Sequence, residues 1–276
     1  MSRSLLSLMV SWVSCLLACG CLAQRFPSTE FRKLPPEEAA AFLEGFRGAR
    51  LSSDLCLRFE VTHKPRVGEA ASPVTGTLWA GTLAGGQVLR GEIADADGRP
   101  ALAFLTLKSP AESKVWVSRH GAPAQEVNGL GSLAPLAPGL LLSPFDLQLP
   151  FTHWTATEYV TTERRRRPAN VYAATNLAGH APAKVTFAID RVYGVLVEAI
   201  CFDRGGDKTR SMQVDEFSKV GEQWMLAACS VRDEVTRDCD LLRITEAALD
   251  ARIPPEVFTP ASLDRPAPRP AGFKKL

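Results

Sequence analysis

The chain has 276 residues, 46% of them hydrophobic and 22% charged, and its 32 Lys and Arg stand against 30 Asp and Glu for a formal net charge of +2. That length suffices for one sizeable core or two small domains, and a single strand pattern running through most of the chain favours one. So balanced a charge removes the electrostatic case for nucleic-acid binding and leaves membrane contact to local patches.

At the N-terminus Arg3 precedes an apolar run over 5–17 and then small residues, the pattern of a cleaved secretory signal over 1–23. The run is shorter than the ~20 apolar residues a membrane-crossing helix needs, and no later stretch reaches that length. Two processing readings stand side by side. Leu16-Leu17-Ala18-Cys19-Gly20 resembles a lipobox, which would put a lipid on Cys19, whereas Cys21-Leu22-Ala23 before Gln24 suits ordinary cleavage. Either way the mature chain is expected to be exported. Residues 24–34 read as a tether.

A main domain is expected over 35–263. It opens with a helix reaching about Arg47: Pro35-Pro36 occupy tolerated first positions, Glu37 and Glu38 fall in the first turn, and Ala40, Phe42, Leu43 and Phe46 form an apolar stripe that needs a sheet to cover. Strand-like segments follow at 55–61, 74–80, 87–93, 101–107 and 115–118, broken by Gly85-Gly86, by Asp95-Ala96-Asp97-Gly98 and by Ser109-Pro110. Residues 133–154 are unusually apolar for a connection, with Pro135, Pro138, Leu140, Leu141, Leu142, Phe145, Leu147, Leu149, Phe151 and Trp154. Ser143 before Pro144 suits a helix N-cap with proline just inside, so one short helix is expected there. This segment either lines or lids an apolar cavity, or plugs the core.

Beyond it the alternation is regular. Val185, Phe187 and Ile189 share one parity, then Leu196, Ile200 and Phe202, Met212 and Val214, Trp224 and Leu226, and Leu242 and Ile244. Each set implies a half-buried strand. Gly194, Arg204-Gly205-Gly206-Asp207 and Gly221 separate them at the short spacing of an antiparallel meander. The pattern stops at Ile253-Pro254-Pro255, and the proline-rich tail over 264–276 is expected to be disordered.

The chain has no G-x-S-x-G, no phosphate loop and no H-E-x-x-H, and its four histidines, His63, His120, His153 and His180, are scattered. Asp190, Glu198 and Asp203 lie close in sequence and are read as the wet face of a sheet. No cofactor or metal is implied. Of the cysteines outside the signal, Cys229 and Cys239 lie symmetrically about Glu234, where two strands should turn, so they are read either as a cross-hairpin disulfide or as separate buried thiols. Arg164-Arg165-Arg166-Arg167 is the one dense cation cluster, read as a solvated loop in preference to a lipid-headgroup contact.

Taken in order, several pieces resemble the LolA/LolB-like outer membrane lipoprotein-sorting proteins: the signal followed by a helix, Gly76-Thr77-Leu78-Trp79, Ser143-Pro144-Phe145-Asp146, Arg167-Pro168-Ala169-Asn170-Val171, the stretch from Lys219 to Trp224, and the Phe258-Thr259-Pro260 closing segment. The resemblance implies a mainly β fold, a half-open antiparallel β-barrel with an N-terminal helix and short capping helices. It also implies a non-catalytic periplasmic protein, soluble or membrane-anchored, that carries lipid or the acyl chains of lipoproteins. The alternative is an RseB-like envelope sensor or interaction module, with partner proteins or the membrane as its contacts. On this reading Trp79, Phe104, Leu142, Phe145, Phe151, Trp154, Phe187 and Trp224 line the cavity. The chain departs from the family where Trp79 is followed by Ala80-Gly81-Thr82-Leu83 with no arginine before Arg90, and where an arginine replaces the glycine expected before Arg167.

Overall fold

The computed structural model describes residues 31–49, 51, 53–83, 86–94, 100–108, 113–165, 167–220 and 223–276. The expected signal, Cys19, residues 24–30 of the tether, Arg166, and the turn signals at Gly85, 95–98, 109–110 and Gly221 lie outside them. Helix α1 (Pro36–Gly48) has proline in its first turn, Glu37 and Glu38 near its N-terminus and Arg47 in its last turn. Its buried stripe is Ala39, Leu43 and Phe46. Ala40, one residue out of phase, faces solvent.

Strands β1 (Leu55–Lys64), β2 (Val74–Leu83), β3 (Gly86–Ala94), β4 (Pro100–Lys108), β5 (Ser113–Arg119) and β6 (Gln125–Val127) form one antiparallel meander. A second comprises β7 (Ala156–Arg165), β8 (Arg167–Thr175), β9 (Lys184–Asp190), β10 (Leu196–Phe202), β11 (Lys208–Val220), β12 (Gln223–Asp233) and β13 (Cys239–Ala248). β13 pairs with β1, so the meanders join at their centre into one sheet whose edges are β6 and β7. β12 leaves β13 after Arg243, and the two-residue β14 (Lys274–Lys275) takes the edge thus freed at Glu246 and Ala247.

The edges are consecutive in sequence, so the chain between β6 and β7 must travel from one side of the sheet to the other. It does so through helix α2 (Pro144–Gln148), which touches β4, and a 3₁₀ turn (Pro150–His153), which touches β8. In a flat sheet β4 and β8 would lie roughly 43 Å apart, at ~4.8 Å per strand. Adjacent short turns reach both only because the sheet curls, and the face they touch is its inside. The result is a half-open barrel, with the connector lying within it. No helix among the described residues is long and apolar enough to cross a membrane.

Two glycines let the sheet curl closely over its aromatic core. The Phe59 ring lies across Gly76, where a Cβ would stand 2.3 Å from it, and the Phe104 ring lies across Gly91 at 2.2 Å. This gives the glycine of the Gly76-Thr77-Leu78-Trp79 strand a physical role: it makes room for an aromatic ring from the paired strand.

Bulges alter which residues face inward. A register shift between Leu196 and Glu198 reverses the phase of β10, so Ala199 and Cys201 join the core while Ile200 and Phe202 do not. In β12 and β13, Cys229 pairs with Leu242 and Cys239 with Arg232, which centres the hairpin between residues 235 and 236. The two cysteines therefore project from opposite faces, and all four described thiols are free. The disulfide reading is thus corrected. Asp190 is likewise not a wet-face carboxylate: it is buried and accepts the amide hydrogens of Val192 (2.8 Å) and Tyr193 (2.9 Å) at the β9–β10 turn.

Candidate functional site

The inner face carries an aromatic series spanning the two halves. Phe145 in α2 lies 5.9 Å from Phe151, Phe151 5.4 Å from Phe187 of β9, and Phe187 is stacked on Tyr172 of β8 at 5.6 Å. With Phe104 and Leu142 these belong to one buried cluster that also takes in Leu43 and Phe46 of α1 and Leu136, Leu140, Leu147 and Leu149 of the connector. Trp154 packs at its margin, partly buried. Six of the eight side chains singled out from the sequence, Phe104, Leu142, Phe145, Phe151, Trp154 and Phe187, therefore come together.

Two do not. Trp79 is fully buried, but on the opposite face, where Leu78 and Ala80 point inward and Trp79 outward. Trp224 is half-buried and belongs to neither large cluster; its neighbour Met225 enters the inner core instead. Tyr172 was not singled out from the sequence. It alternates with Asn170 and Ala174, the ordinary signature of a strand, and only its contacts reveal its place. Its hydroxyl donates to Ala39 O at 2.8 Å, tying α1 across the core, and burial drives its pKa upward.

The connector is held by charge as well as by apolar packing. The buried Asp240 of β13 accepts the amide hydrogens of Leu141 (2.6 Å) and Leu142 (2.8 Å) on one oxygen and bonds His63 Nδ1 (2.8 Å) on the other. Asp146 accepts the Ser143 amide at 2.8 Å, capping α2, and is paired with Arg210 of β11. Arg210 also donates to Leu141 O at 2.5 Å. Burial works against the guanidinium charge, but the Asp146 carboxylate outweighs it and the Arg210 pKa stands above its ordinary value. At the other end Arg47 donates to Thr152 O (2.6 Å) and Trp154 O (3.0 Å). Because Asp240 is committed to backbone amides, its contact with His63 reads as a structural pair. No group of three or more potential metal ligands occurs among the described residues.

The outer face is closed by the C-terminal segment. Ile253, Val257, Phe258, Leu263 and Ala267 pack on Cys56, Trp79, Val88 and Leu105. The expectation of a disordered tail is therefore corrected: Trp79 Nε1 donates to Pro268 O at 3.0 Å, and the last residues supply β14. Arg90, 1% exposed, is the pin. It reaches Val257 O (3.1 Å), Ser262 Oγ (2.8 Å), Glu92 Oε1 (2.6 Å) and Arg265 O (2.6 Å). Composition alone could not foresee this, because the tail's hydrogen bonds run to residues far away in sequence. Beside the strap lies a recess of about 280 Å³ whose lining mixes Arg58, Glu60, Thr77, Glu92 and Arg269 with Phe59 and Ala94.

No protein-family model and no curated sequence matches the chain. Among solved structures, one described as an outer membrane lipoprotein-sorting protein domain from Vibrio parahaemolyticus matches with a TM-score of 0.67 at 14% identity, over 83% of this chain and 96% of its own. A DUF1329 family protein from Desulfovibrio piger matches with a TM-score of 0.69 at 12% identity, over 83% of this chain and 99% of its own. A LolA superfamily protein from Nitrosomonas europaea matches with a TM-score of 0.60 at 13% identity, over 80% of this chain and 97% of its own. The curled sheet, the connector across its interior and these three likenesses together make this a chain with the LolA-like fold.

Proposed function

We propose that the protein is an exported, non-catalytic carrier that takes up lipid or the acyl chains of lipoproteins on its inner face. The observation that supports it is the origin of the material filling the barrel. The interior is occupied by the connector, from Leu136 to Phe151, and not by strand side chains alone. Moving that segment outward would expose a continuous apolar wall containing Phe104, Tyr172 and Phe187, while Phe145 and Phe151 would ride on the moving part. An acyl chain gains ~0.8 kcal/mol for each CH₂ it removes from water, so it can replace the connector's own buried side chains without any bond being made or broken. Fold likeness by itself does not fix function.

The test is native mass spectrometry of the exported protein together with uptake of a fluorescent fatty acid. Retained lipid, and faster uptake when Arg210→Met loosens the connector, are expected. A bare mass with no uptake by either protein sinks the carrier reading. The filled interior favours one second reading, an envelope interaction module whose barrel is a scaffold; for that, the bare mass is the expected result.

A further inference from the structure

At the end of the aromatic series the inner face turns polar. Tyr172 lies 5.6 Å from Tyr159 of β7, so the line of rings that begins at Phe145 ends there. A bulge in β7 between Tyr159 and Thr161 then shifts the phase of the strand: Tyr159 pairs with Tyr172 and Thr162 with Asn170, so both face inward, while Val160 is put out to solvent. Without the bulge, two residues three apart would point to opposite faces. The bulge assembles a directed chain of hydrogen bonds. The Leu34 amide donates to the Tyr159 hydroxyl at 3.0 Å, that hydroxyl donates onward to Thr162 Oγ1 at 2.7 Å, and Thr162 Oγ1 donates to Asn170 Oδ1 at 3.0 Å. The chain fixes which way the Asn170 amide is turned and leaves Nδ2 on the side away from Thr162. Asn170 is 0% exposed, and its Nδ2 has no hydrogen-bond partner among the described residues. Burial raises the Tyr172 pKa and the nearby Asn170 amide lowers it in part, yet no hydrogen bond joins the two.

We infer that Asn170 Nδ2 binds the carbonyl oxygen at the head of an acyl ligand whose tail lies along the ring series. The inference rests on the carrier reading above and names the part of the ligand that an apolar wall cannot recognise. A buried donor without an acceptor is costly to keep, and here a bulge and three successive hydrogen bonds hold it in place beside Tyr172, at the polar end of the wall. An apolar wall lets an acyl chain slide along it, whereas one directed donor at its end sets where the chain stops, the usual division between apolar lining and a few placed polar groups in a ligand site. The partner this donor needs is a hydrogen-bond acceptor. A carbonyl oxygen supplies it in an esterified chain and in a free fatty acid alike, and a hydrocarbon does not.

The test is displacement of a bound fluorescent fatty acid by methyl dodecanoate, by dodecanoic acid and by pentadecane, on the exported protein and on Asn170→Leu. The ratio of the hydrocarbon midpoint to the ester or acid midpoint within one protein cancels the affinity of the probe, and comparing that ratio between proteins cancels the solubility of the competitors in water. The ratio should fall about fivefold in Asn170→Leu, the worth of one hydrogen bond. A fall shared by ester and acid, or confined to one of them, tells an esterified chain from a free fatty acid as the head that is bound. Tyr172→Phe, which removes the neighbouring hydroxyl and keeps Nδ2, should retain the parent ratio. If circular dichroism melting shows that Asn170→Leu does not fold, the infrared band of the ester, isotope-labelled at its carbonyl and bound to the parent, decides: a band lowered from its position in alkane marks the hydrogen bond. Displacement by all three competitors with the same ratios in parent and Asn170→Leu, an equal fall in Tyr172→Phe, or a band that is not lowered would overturn this inference and leave the carrier reading standing. A protein that takes up neither probe nor competitor would overturn both.

Discussion

Replacing Arg210 by methionine should unlatch the connector while leaving the sheet intact. The substitution keeps an unbranched chain of similar reach but leaves Asp146, 4% exposed at its side chain, without its cation, and removes the donor to Leu141 O. Removing one partner of a buried ion pair costs about 3–5 kcal/mol. Arg210 is itself 18% exposed, so water enters and the lower end applies, about 3 kcal/mol. That is within the 5–15 kcal/mol typical of a whole domain, so the fold should survive. If the connector opens as a unit of its own, the whole cost falls on its local opening. Hydrogen exchange monitored by mass spectrometry should then show amides of residues 136–151 exchanging roughly a hundredfold faster, by the tenfold per 1.4 kcal/mol relation, while β1 and β13 stay protected. Adding Asp146→Asn should recover part of the loss by removing the uncompensated charge. Equal acceleration in the connector and in β1 and β13 would refute the reasoning, because the segment would then be inseparable from the global core.

The remaining predictions concern other parts of the frame. Gly91→Ala should destabilise the protein by about 1–3 kcal/mol, as the new Cβ would stand 2.2 Å from the Phe104 ring, and a urea titration that leaves the midpoint unmoved would contradict the packing. Arg90→Met should release the C-terminal strap, leaving Glu92 buried beside the Ala267 amide alone, so limited proteolysis after Ile253 should accelerate while the body of the sheet resists; unchanged cleavage would count against the pin. Burial pushes the thiols of Cys56 and Cys201 up to about 12 from an ordinary 9.0. A pKa raised on folding contributes stability that is complete below about pH 9 and is lost as the pH climbs toward 12. Unfolding midpoints should therefore fall over that alkaline window, and Cys56→Ala/Cys201→Ala should flatten the slope. Half-buried Cys239 should be modified by a thiol reagent before Cys56, Cys201 or Cys229, and the reverse order would contradict their burial.

Much of this protein could be read from its residues in order. Alternating or apolar runs bounded by turn residues placed β1 to β5 and β9 to β13, and this is local information, although the C-terminal strap packs the outer side of β1 to β4 as well. Proline and acid positions placed α1, and Ser143-Pro144 placed α2, because caps act within a single turn. The same alternation could not say which side was inside. Leu78 and Trp79 are equally good core residues, and only the curl of the sheet sends one into the barrel and the other under the C-terminal strap. A bulge, a shift of one residue, sufficed to exchange Ile200 and Phe202 for Ala199 and Cys201, and a hairpin centred at 235–236 carried Cys229 and Cys239 to opposite faces.

Composition similarly marked residues 133–154 as too apolar for an ordinary connection but left cavity and plug undecided. The sheet order resolved their placement: consecutive strands occupy opposite edges, so the chain between them has to cross the interior. The tail reads as disordered because its own residues offer it no partners, and it is ordered because Arg90 and Trp79, far away in sequence, do. Local sequence thus determined most of the strands, the two helices and the resemblance in fold, since these depend on neighbours along the chain, whereas β6, β7 and β14 carry no such pattern. Which apolar face became the interior and what fills it were decided by contacts between distant segments, and those exist only once the sheet has curled around the connector.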